Sequence, residues 1–292
     1  MPENNLRYVL ITAAKNEAQF IELTIKSVIN QTILPLKWVI INDGSTDETE
    51  EIIKKYAIEY PWIEVISLPV SKQRHFGRKA VAFNIGYQRI KDLDFEIIGN
   101  LDADISFNHD YFSFLLKRFA DIPDLGIAGT PFREGGKQYD YRFSNIEHVS
   151  GACQLFRRIC YESIGGYKPL EAGGIDLYAS IRARMAGWKT RTFPEVFCIH
   201  HRKMGTAKQK LLAIAFNGGY HDYLMGVSPV WQLLRSAYRL KSDPIFGFFI
   251  MVGYLWALLI RAKRLVDKEM IEFRKNEEKQ RIKKLIRRII SN

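Results

Sequence analysis

Short apolar segments alternate with amphipathic segments along the first hundred residues, and this alternation constrains the fold more than any other feature of the chain. The apolar segments suit buried strands, and the segments between them repeat apolar residues at the spacing of one helical face. Strands are predicted at 8–14, 37–41, 63–67 and 95–101, and helices at 17–30, about 48–60 and 77–90. Strands that alternate with helices form largely parallel sheets covered by helices, so we expect an α/β domain.

The net charge of +11 is unevenly distributed along the 292 residues. Residues 261–292 hold 12 Lys and Arg against 5 Asp and Glu, which leaves 31 basic and 27 acidic residues in the first 260. The nearly balanced charge of the first 260 residues argues against a nucleic-acid-binding face, and the basic charge of residues 261–292 predicts contact with an anionic surface.

The cysteines and the amino-terminal residues indicate a reducing compartment. Cys153, Cys160 and Cys198 form neither a CxxC pair nor an even set, so no disulfide framework or zinc ribbon is expected. The polar start at 1–5 lacks a basic region, a long apolar region and a cleavage site, so we expect no signal peptide.

Two aspartates follow the fourth predicted strand. Asp102 and Asp104 stand two residues apart in the sequence LDAD, so both face the same side of an extended chain. Two such carboxylates bind one hard cation, and open α/β sheets bind ligands at this carboxyl edge. The alternative is a turn rich in Asp, because Asp is common where strands end.

The second predicted strand ends in the sequence NDGSTD at 42–47. Asp43 suits a hydrogen bond from a base imide or a ribose hydroxyl, and Gly44 permits a close backbone approach. Thr46 or Asp47 is predicted to cap the next helix. The alternative for the whole segment is a turn and a helix cap without a ligand.

Two further segments contain candidate catalytic or metal-binding groups. Asp176 opens a predicted helix after Gly173 and Gly174, where a carboxylate acts either as a cap or as a positioned general base. His200 and His201 are adjacent in a predicted strand, so at most one of them faces a given site. One packed and one solvated histidine is the alternative to a metal-ligand role.

In their order and spacing these segments resemble family 2 glycosyltransferases of GT-A fold. The resemblance covers residues 6–205 and lies in four sequences: VLITAAKNE at 9–17, IKSVINQT at 25–32, VIINDGSTD at 39–47 and GNLDAD at 99–104. It implies a Rossmann-like, mostly parallel central sheet and the transfer of a sugar from a nucleotide diphosphate (UDP, GDP or dTDP) with inversion.

The resemblance also implies site residues by matching position. Asp43 would contact the base, and Arg78 and Lys79 would lie near ribose or phosphate. The residues expected to bind the nucleotide are Ala13, Ala14, Asn16, Glu17, Asp43, Arg78, Lys79, Asp102 and Ala103.

The remaining implied roles concern the metal and the acceptor. Asp102 and Asp104 match the DxD that holds Mn²⁺ or Mg²⁺, and His200 or His201 matches a histidine that is sometimes a further metal ligand. Asp176 matches the acidic base, and residues 150–152 match a glycine loop near the acceptor.

Three departures from the family pattern stand out. The usual Pro before the Asn-Glu pair is replaced by the stretch 13–15, Ala-Ala-Lys, and the usual Glu-Asp base motif is Ile175-Asp176. The QxxRW of processive synthases is present only as QLLRS at 232–236, which argues against a processive polymerase.

The character of the sequence changes after residue 205, so we expect a GT-A domain at 1–205 and a helical region at 206–292. Residues 245–260 form an uncharged run of about 24 Å as a helix, shorter than a bilayer core of about 30 Å. Aromatic residues within this run and basic residues after it favour association with an anionic membrane, spanning or interfacial. Residues 261–290 are predicted to form a long polar helix. Lys and Arg are also common on any exposed helix, so a simple solvated face is the alternative for the tail.

The acceptor is expected to be a glycan or lipid-linked, at the cytoplasmic face of the cell membrane. The alternatives are a sugar-phosphate nucleotidyltransferase and a non-catalytic, basic membrane-binding module. The first would usually have a glycine-rich basic loop after the first strand, which residues 12–17 lack.

Overall fold

The computed structural model describes residues 6–70, 77–134, 145–202 and 208–290. The chain forms two compact units, Met1–Lys203 and Met204–Asn292. The strands are β1 (Tyr8–Ala14), β2 (Lys37–Asn42), β3 (Ile63–Ser67), β4 (Ile97–Leu101), β5 (Ile105–Ser106), β6 (Leu125–Gly129), β7 (Phe132–Arg133), β8 (Cys153–Arg157), β9 (Lys189–Thr192) and β10 (Cys198–His200). The helices are α1 (Ile21–Ile29), α2 (Thr49–Glu59), α3 (Gly77–Ile90), α4 (Tyr111–Asp121), α5 (Arg158–Ser163), α6 (Ile175–Met185), α7 (Lys208–Leu224), α8 (Pro229–Ser242), α9 (Pro244–Leu259) and α10 (Lys268–Ile290).

Within the described residues, the N-terminal unit is built on a seven-stranded sheet in the order β3-β2-β1-β4-β8-β6-β9. β1 pairs in parallel with both β2 and β4, and β2 pairs in parallel with β3. β8 is antiparallel to β4 and β6. The mostly parallel sheet of an α/β domain predicted from the sequence is therefore confirmed, and β8 makes the sheet mixed. The carboxyl ends of β1, β2 and β4 meet at one edge, where the strand order changes direction.

A second, three-stranded sheet has the order β5-β10-β7. Its strand β5 directly follows β4 in the chain. β10 is antiparallel to β5, with His200 opposite Ile105 and Ile199 opposite Ser106. The pairing brings the end of the N-terminal unit beside the residues that follow β4.

The central strands are apolar on both faces because helices cover both sides of the sheet. β1 is buried almost throughout, and Trp38 on β2 is fully buried. The Trp38 indole N–H donates a hydrogen bond of 3.0 Å to Thr12 Oγ1, so the polar atom of this large side chain is satisfied within the core.

The helix predicted at 17–30 begins later than expected, at Ile21. The N–H of Glu17 donates to Thr49 Oγ1 at 2.8 Å and the N–H of Ala18 donates to Asp47 Oδ2 at 3.1 Å. These bonds to side chains from the β2–α2 loop and from the first residue of α2 hold residues 17–20 in a turn instead of a helix.

In the C-terminal unit, α7 and α9 pack with their backbones in contact. A Cβ atom on Gly253 would lie 1.9 Å from the carbonyl oxygen of Phe216, and one on Gly219 would lie 1.8 Å from that of Ile250. Only glycine fits at these two crossing positions.

The predicted helix at 261–290 is interrupted, and α10 begins only at Lys268. Arg261 has a φ of +51° and ends the preceding helix, with the N–H of Ala262 bonded to the carbonyl of Ala257 at 2.9 Å. Asp267 then caps α10, because its Oδ1 accepts the N–H of Met270 at 2.8 Å.

The uncharged run at 245–260 corresponds closely to α9, Pro244–Leu259. Of the helices that the structure describes, none combines the length and apolar character needed to cross a bilayer.

We predict that Gly253→Ala destabilises the C-terminal unit by about 1–3 kcal/mol, because the added methyl group overpacks the α7–α9 contact. Gly218→Ala is the matched control, since a Cβ there meets no described atom within 4 Å. The control should be neutral or slightly stabilising, by up to about 1 kcal/mol. Urea unfolding followed by circular dichroism measures both variants, and equal stabilities would contradict the close helix contact.

Candidate active site

The loops that follow β1 and β2 interlock at the carboxyl edge of the sheet. Asn16 has a φ of +55°, a left-handed conformation that Asn tolerates better than most residues. Its N–H donates to Ser45 Oγ at 3.0 Å, and its Oδ1 accepts the N–H of Thr46 at 2.8 Å. Asn16 thus fixes the two loops against each other, and its predicted contact with a nucleotide stays a prediction.

Asp43 lies at the centre of a cationic group. The Arg78 guanidinium donates to both Asp43 oxygens, from Nε to Oδ2 at 2.8 Å and from a terminal nitrogen to Oδ1. The Lys15 ammonium lies 4.0 Å from Asp43 Oδ2. Arg78, expected near ribose or phosphate, is therefore anchored beside the residue expected to contact the base.

Gly44 is required by the chain itself. Its φ is +66°, and an added Cβ would lie 2.6 Å from the Cα of Val70. The close backbone approach predicted at this position is made by the protein segment at 69–70.

Asp102 lies beside α3 and the loop that precedes β8. Its Oδ1 accepts a short hydrogen bond from Lys79 Nζ, which also donates to the carbonyl of Gly151 at 3.0 Å. Burial raises the pKa of the Asp102 carboxyl, the nearby Asp104 carboxylate adds to the rise, and Lys79 opposes it. The pair expected to bind a cation is thus crowded with negative charge.

Asp104 contacts two side chains from the end of the N-terminal unit. Its Oδ2 lies 3.2 Å from Arg202 Nε and 3.5 Å from His200 Nε2. Arg202 also donates to the Glu17 carboxylate. Burial raises the pKa of Glu17, and the Arg202 guanidinium opposes the rise.

The two adjacent histidines, His200 at the end of β10 and His201 directly after it, contact different groups. His200 faces Asp104, whereas His201 Nε2 lies 2.8 Å from Ser106 Oγ and its ring stacks on Phe20 with centroids 6.1 Å apart. The structure therefore brings His200, and not His201, to the carboxylates.

Asp176 lies in the first turn of α6, but it is not the helix cap. The cap position is Gly174, with a φ of +81°. Asp176 Oδ2 accepts the N–H of Gly151 at 3.0 Å, and Oδ1 accepts the N–H of Leu177 at 2.9 Å. Two backbone donors thus fix the direction of the carboxylate, as a positioned base requires.

Two residues near Asp176 were not expected from the sequence. Gln154 on β8 is fully buried, and its Nε2 lies 3.3 Å from the Asp176 carbonyl and 3.2 Å from Ser180 Oγ. His148 Nε2 lies 3.9 Å from Asp176 Oδ2. The glutamine amide holds the start of α6, and the imidazole is a titratable neighbour of the carboxylate. A polar residue inside a buried strand was the available signal for Gln154.

The small residues at the strand ends leave the edge open. Ala14 is buried, Ala13 is partly buried, and Ala103 is 4% exposed and belongs to the hydrophobic core. Residues 103–104 form a turn, so the extended chain expected at Asp102 and Asp104 is wrong, and the two carboxylates interact across this turn.

The side chains expected to hold a metal are those of Asp102, Asp104 and His200. In the described ranges, no three His, Cys, Asp or Glu side chains are already arranged around a metal position. The chemistry of the set nevertheless suits Mn²⁺ or Mg²⁺, because it offers two carboxylates and an imidazole whose Nδ1 is buried without a hydrogen bond to the described chain.

Comparison with known proteins agrees with this geometry. The family described as glycosyl transferase family 2 matches residues 9–205. Poly-beta-1,6-N-acetyl-D-glucosamine synthase from Staphylococcus epidermidis is 24% identical over 285 residues, which cover 87% of this chain and 66% of that protein. The chain thus spans just under two thirds of the length of this curated relative.

Two solved structures share the fold. Mannosyltransferase PcManGT from Pyrobaculum calidifontis, in complex with GDP-Man and Mn²⁺, has a TM-score of 0.58 and 18% identity, over 94% of this chain and 74% of that one. The S. aureus TarS fragment 1–349 with UDP-GlcNAc has a TM-score of 0.55 and 14% identity, over 93% and 79%. These likenesses show the GT-A-type fold.

Proposed function

The chain belongs to glycosyl transferase family 2 and is a glycosyltransferase, and from this premise we propose that it moves a sugar from a nucleotide diphosphate to a hydroxyl group of a glycan or lipid-linked acceptor. The reaction we propose inverts the anomeric carbon and belongs to the synthesis of cell-surface polysaccharide or glycolipid. Family membership favours this reaction over nucleotidyl transfer and over a non-catalytic membrane-binding role.

One observation carries the proposal: a single residue, Gly151, links the candidate metal site to the candidate base through its N–H and its carbonyl group. The Gly151 carbonyl accepts Lys79 Nζ, which also binds Asp102, and the Gly151 N–H donates to Asp176. The group that would receive the acceptor proton is thereby held next to the group that would hold the diphosphate, as an in-line displacement needs.

Asp176 is the proposed general base. Each of its oxygens accepts one backbone N–H, and a carboxylate has about four acceptor positions, so both oxygens keep a free lone pair. A free lone pair takes the proton from the acceptor hydroxyl as that oxygen attacks. The acid-base contribution is typically 10²–10⁴-fold.

The proposed cofactor is Mn²⁺ or Mg²⁺, held by Asp102 and Asp104 with His200 as a further ligand. A divalent cation bound there supplies Lewis-acid stabilisation of the departing diphosphate. Binding relieves the repulsion between the two carboxylates, and Lys79 and Arg202 remain beside the site as additional positive groups.

We also propose that the C-terminal unit associates with an anionic membrane surface at the cytoplasmic face. Its helices expose large apolar side chains, among them Leu233 and Phe248, each 60% exposed. On α8, Leu233 and Leu234 are exposed together with Arg235 and Arg239, so this helix presents a mixed apolar and basic surface, which suits an interfacial position. The basic residues of α10 complement anionic lipid.

We predict that Asp176→Asn retains nucleotide binding and loses about 10²–10⁴-fold in turnover, because the amide cannot take the acceptor proton. The matched control is Glu171→Gln, an exposed acid in the same loop, which should keep wild-type turnover. Transfer is measured with a panel of nucleotide sugars, and wild-type turnover in Asp176→Asn would sink the base assignment.

Asp104→Ala should weaken metal-dependent binding of nucleoside diphosphate, because one of the two proposed carboxylate ligands is lost. Calorimetric titrations with Mn²⁺ and with EDTA measure the effect, and Asp92→Ala, at an exposed position, is the control. Equally tight binding of the wild-type protein in EDTA would refute the metal role.

The wild-type protein should sediment with anionic vesicles, and Leu233→Glu should reduce sedimentation because it places a charge on the exposed apolar surface. Ile58→Glu is the control, since Ile58 is 85% exposed but belongs to the N-terminal unit. Release by high salt indicates peripheral binding and release only by detergent indicates insertion. A wild-type protein that stays in the supernatant with anionic vesicles excludes the proposal.

A further inference from the structure

Lys15 directly follows β1 and has a buried ammonium group. Its Nζ makes no hydrogen bond within the part of the chain that the structure describes. The group lies 4.0 Å from Asp43 Oδ2, too far for a direct hydrogen bond. A lysine ammonium offers three donors, and burying it with none of them used is costly. The cost indicates that an acceptor is supplied from outside the chain.

Asp43, across from Lys15, retains acceptor capacity. The Arg78 guanidinium takes one position on each Asp43 oxygen. A carboxylate has about four acceptor positions, so one remains on each oxygen. The Asp43 side chain is only 10% exposed and is held in place by Arg78, so its remaining acceptors have a fixed direction.

The fixed acceptor positions of Asp43 therefore lie beside the unused donors of Lys15 at the same edge of the sheet. The matching ligand carries an N–H next to a carbonyl oxygen. Uracil, thymine and guanine carry such a pair, with O4 or O6 as the carbonyl acceptor, whereas cytosine and adenine carry an amino donor at that place. An amino group would point its N–H at the ammonium and leave Lys15 unpaired.

We propose that Lys15 donates a hydrogen bond to the base carbonyl while Asp43 accepts the adjacent base N–H, so that the pocket selects uridine, thymidine or guanosine diphosphates over cytidine and adenosine diphosphates. The inference rests on the proposed function and adds to it Lys15 as a residue that distinguishes between bases. Lys15 stands where the chain departs from the family pattern.

The position of Lys15 favours the base over the diphosphate. β1 lies between β2 and β4, and Lys15 turns toward Asp43 at the end of β2. Asp102, at the end of β4 on the other side, already has Lys79 as its cation. In this arrangement Lys15 lies at the base end of the nucleotide, and Lys79 lies at the diphosphate end.

Calorimetric titration of the full chain with UDP, dTDP, GDP, CDP and ADP in Mn²⁺ tests the proposal. At least one of the first three should bind roughly ten-fold or more tightly than CDP and ADP. Lys15→Met should weaken that preferred nucleotide roughly 10- to 100-fold, as the loss of one hydrogen bond from a charged donor implies, and leave CDP and ADP unchanged. Lys91→Met, at an exposed position, should bind all five like the wild type.

Four outcomes overturn the proposal in whole or in part. Unchanged affinity of Lys15→Met for the preferred nucleotide removes Lys15 from the site. An equal loss for all five nucleotides and for inorganic pyrophosphate assigns Lys15 to the phosphates. Wild-type binding without base preference refutes the base selection alone, whereas no binding of any nucleoside diphosphate refutes the proposed function as well.

The folding of the variant is checked separately. Removing a buried charge should leave the melting temperature of Lys15→Met unchanged or raised. If that variant is unfolded, Lys15→Gln provides a second test, because its amide retains an N–H donor without the charge and should keep the base preference in a weaker form.

Discussion

The parallel pairing of β1 with β2 and β4 places negative charge at one edge of the sheet, and the surrounding structure compensates it. Asp43 follows β2, and Asp102 and Asp104 follow β4. Each carboxylate contacts a cation from a distant element: Arg78 and Lys79 come from α3, and Arg202 follows β10. Without these contacts the carboxylates would repel one another in a partly buried setting, so the positions of α3 and β10 are tied to the charge of this edge.

The pairing of each carboxylate with a cation explains how the same edge of the sheet can be stable in the folded chain and still be open to a ligand. An ion pair removed from water gains little over its desolvation cost, so its net contribution to stability is small. If a divalent cation binds Asp102 as proposed, its exchange for Lys79 would therefore cost little, and the released ammonium would stay within reach of an anionic diphosphate. Burial raises the pKa of both Asp102 and Glu17, and the cations Lys79 and Arg202 offset this rise only in part.

The sequence predicts the parts of the site that depend on local order. Asp43, Asp102 and Asp176 follow a strand or open a helix, so strand and helix periodicity was enough to place them. The contact of Arg202 with Asp104 joins residues 98 positions apart through strands of three and two residues, which carry no periodic signal. The sequence did not predict the break before α10. The left-handed residue that ends a helix is usually a glycine, and here Arg261 takes that conformation. Lys15 was noted only as a departure, since burial of its ammonium depends on the loop that follows β2.

The C-terminal unit follows a different physical rule from the sheet. Its α7–α9 contact depends on Gly219 and Gly253, which let the two backbones touch without a large apolar side chain between them. Small residues at a helix–helix contact let the two backbones approach closely, so that dispersion contacts between main-chain atoms replace contacts between interdigitated side chains. The α7–α9 crossing is therefore specified by shape, whereas the edge of the sheet is specified by the pairing of charges.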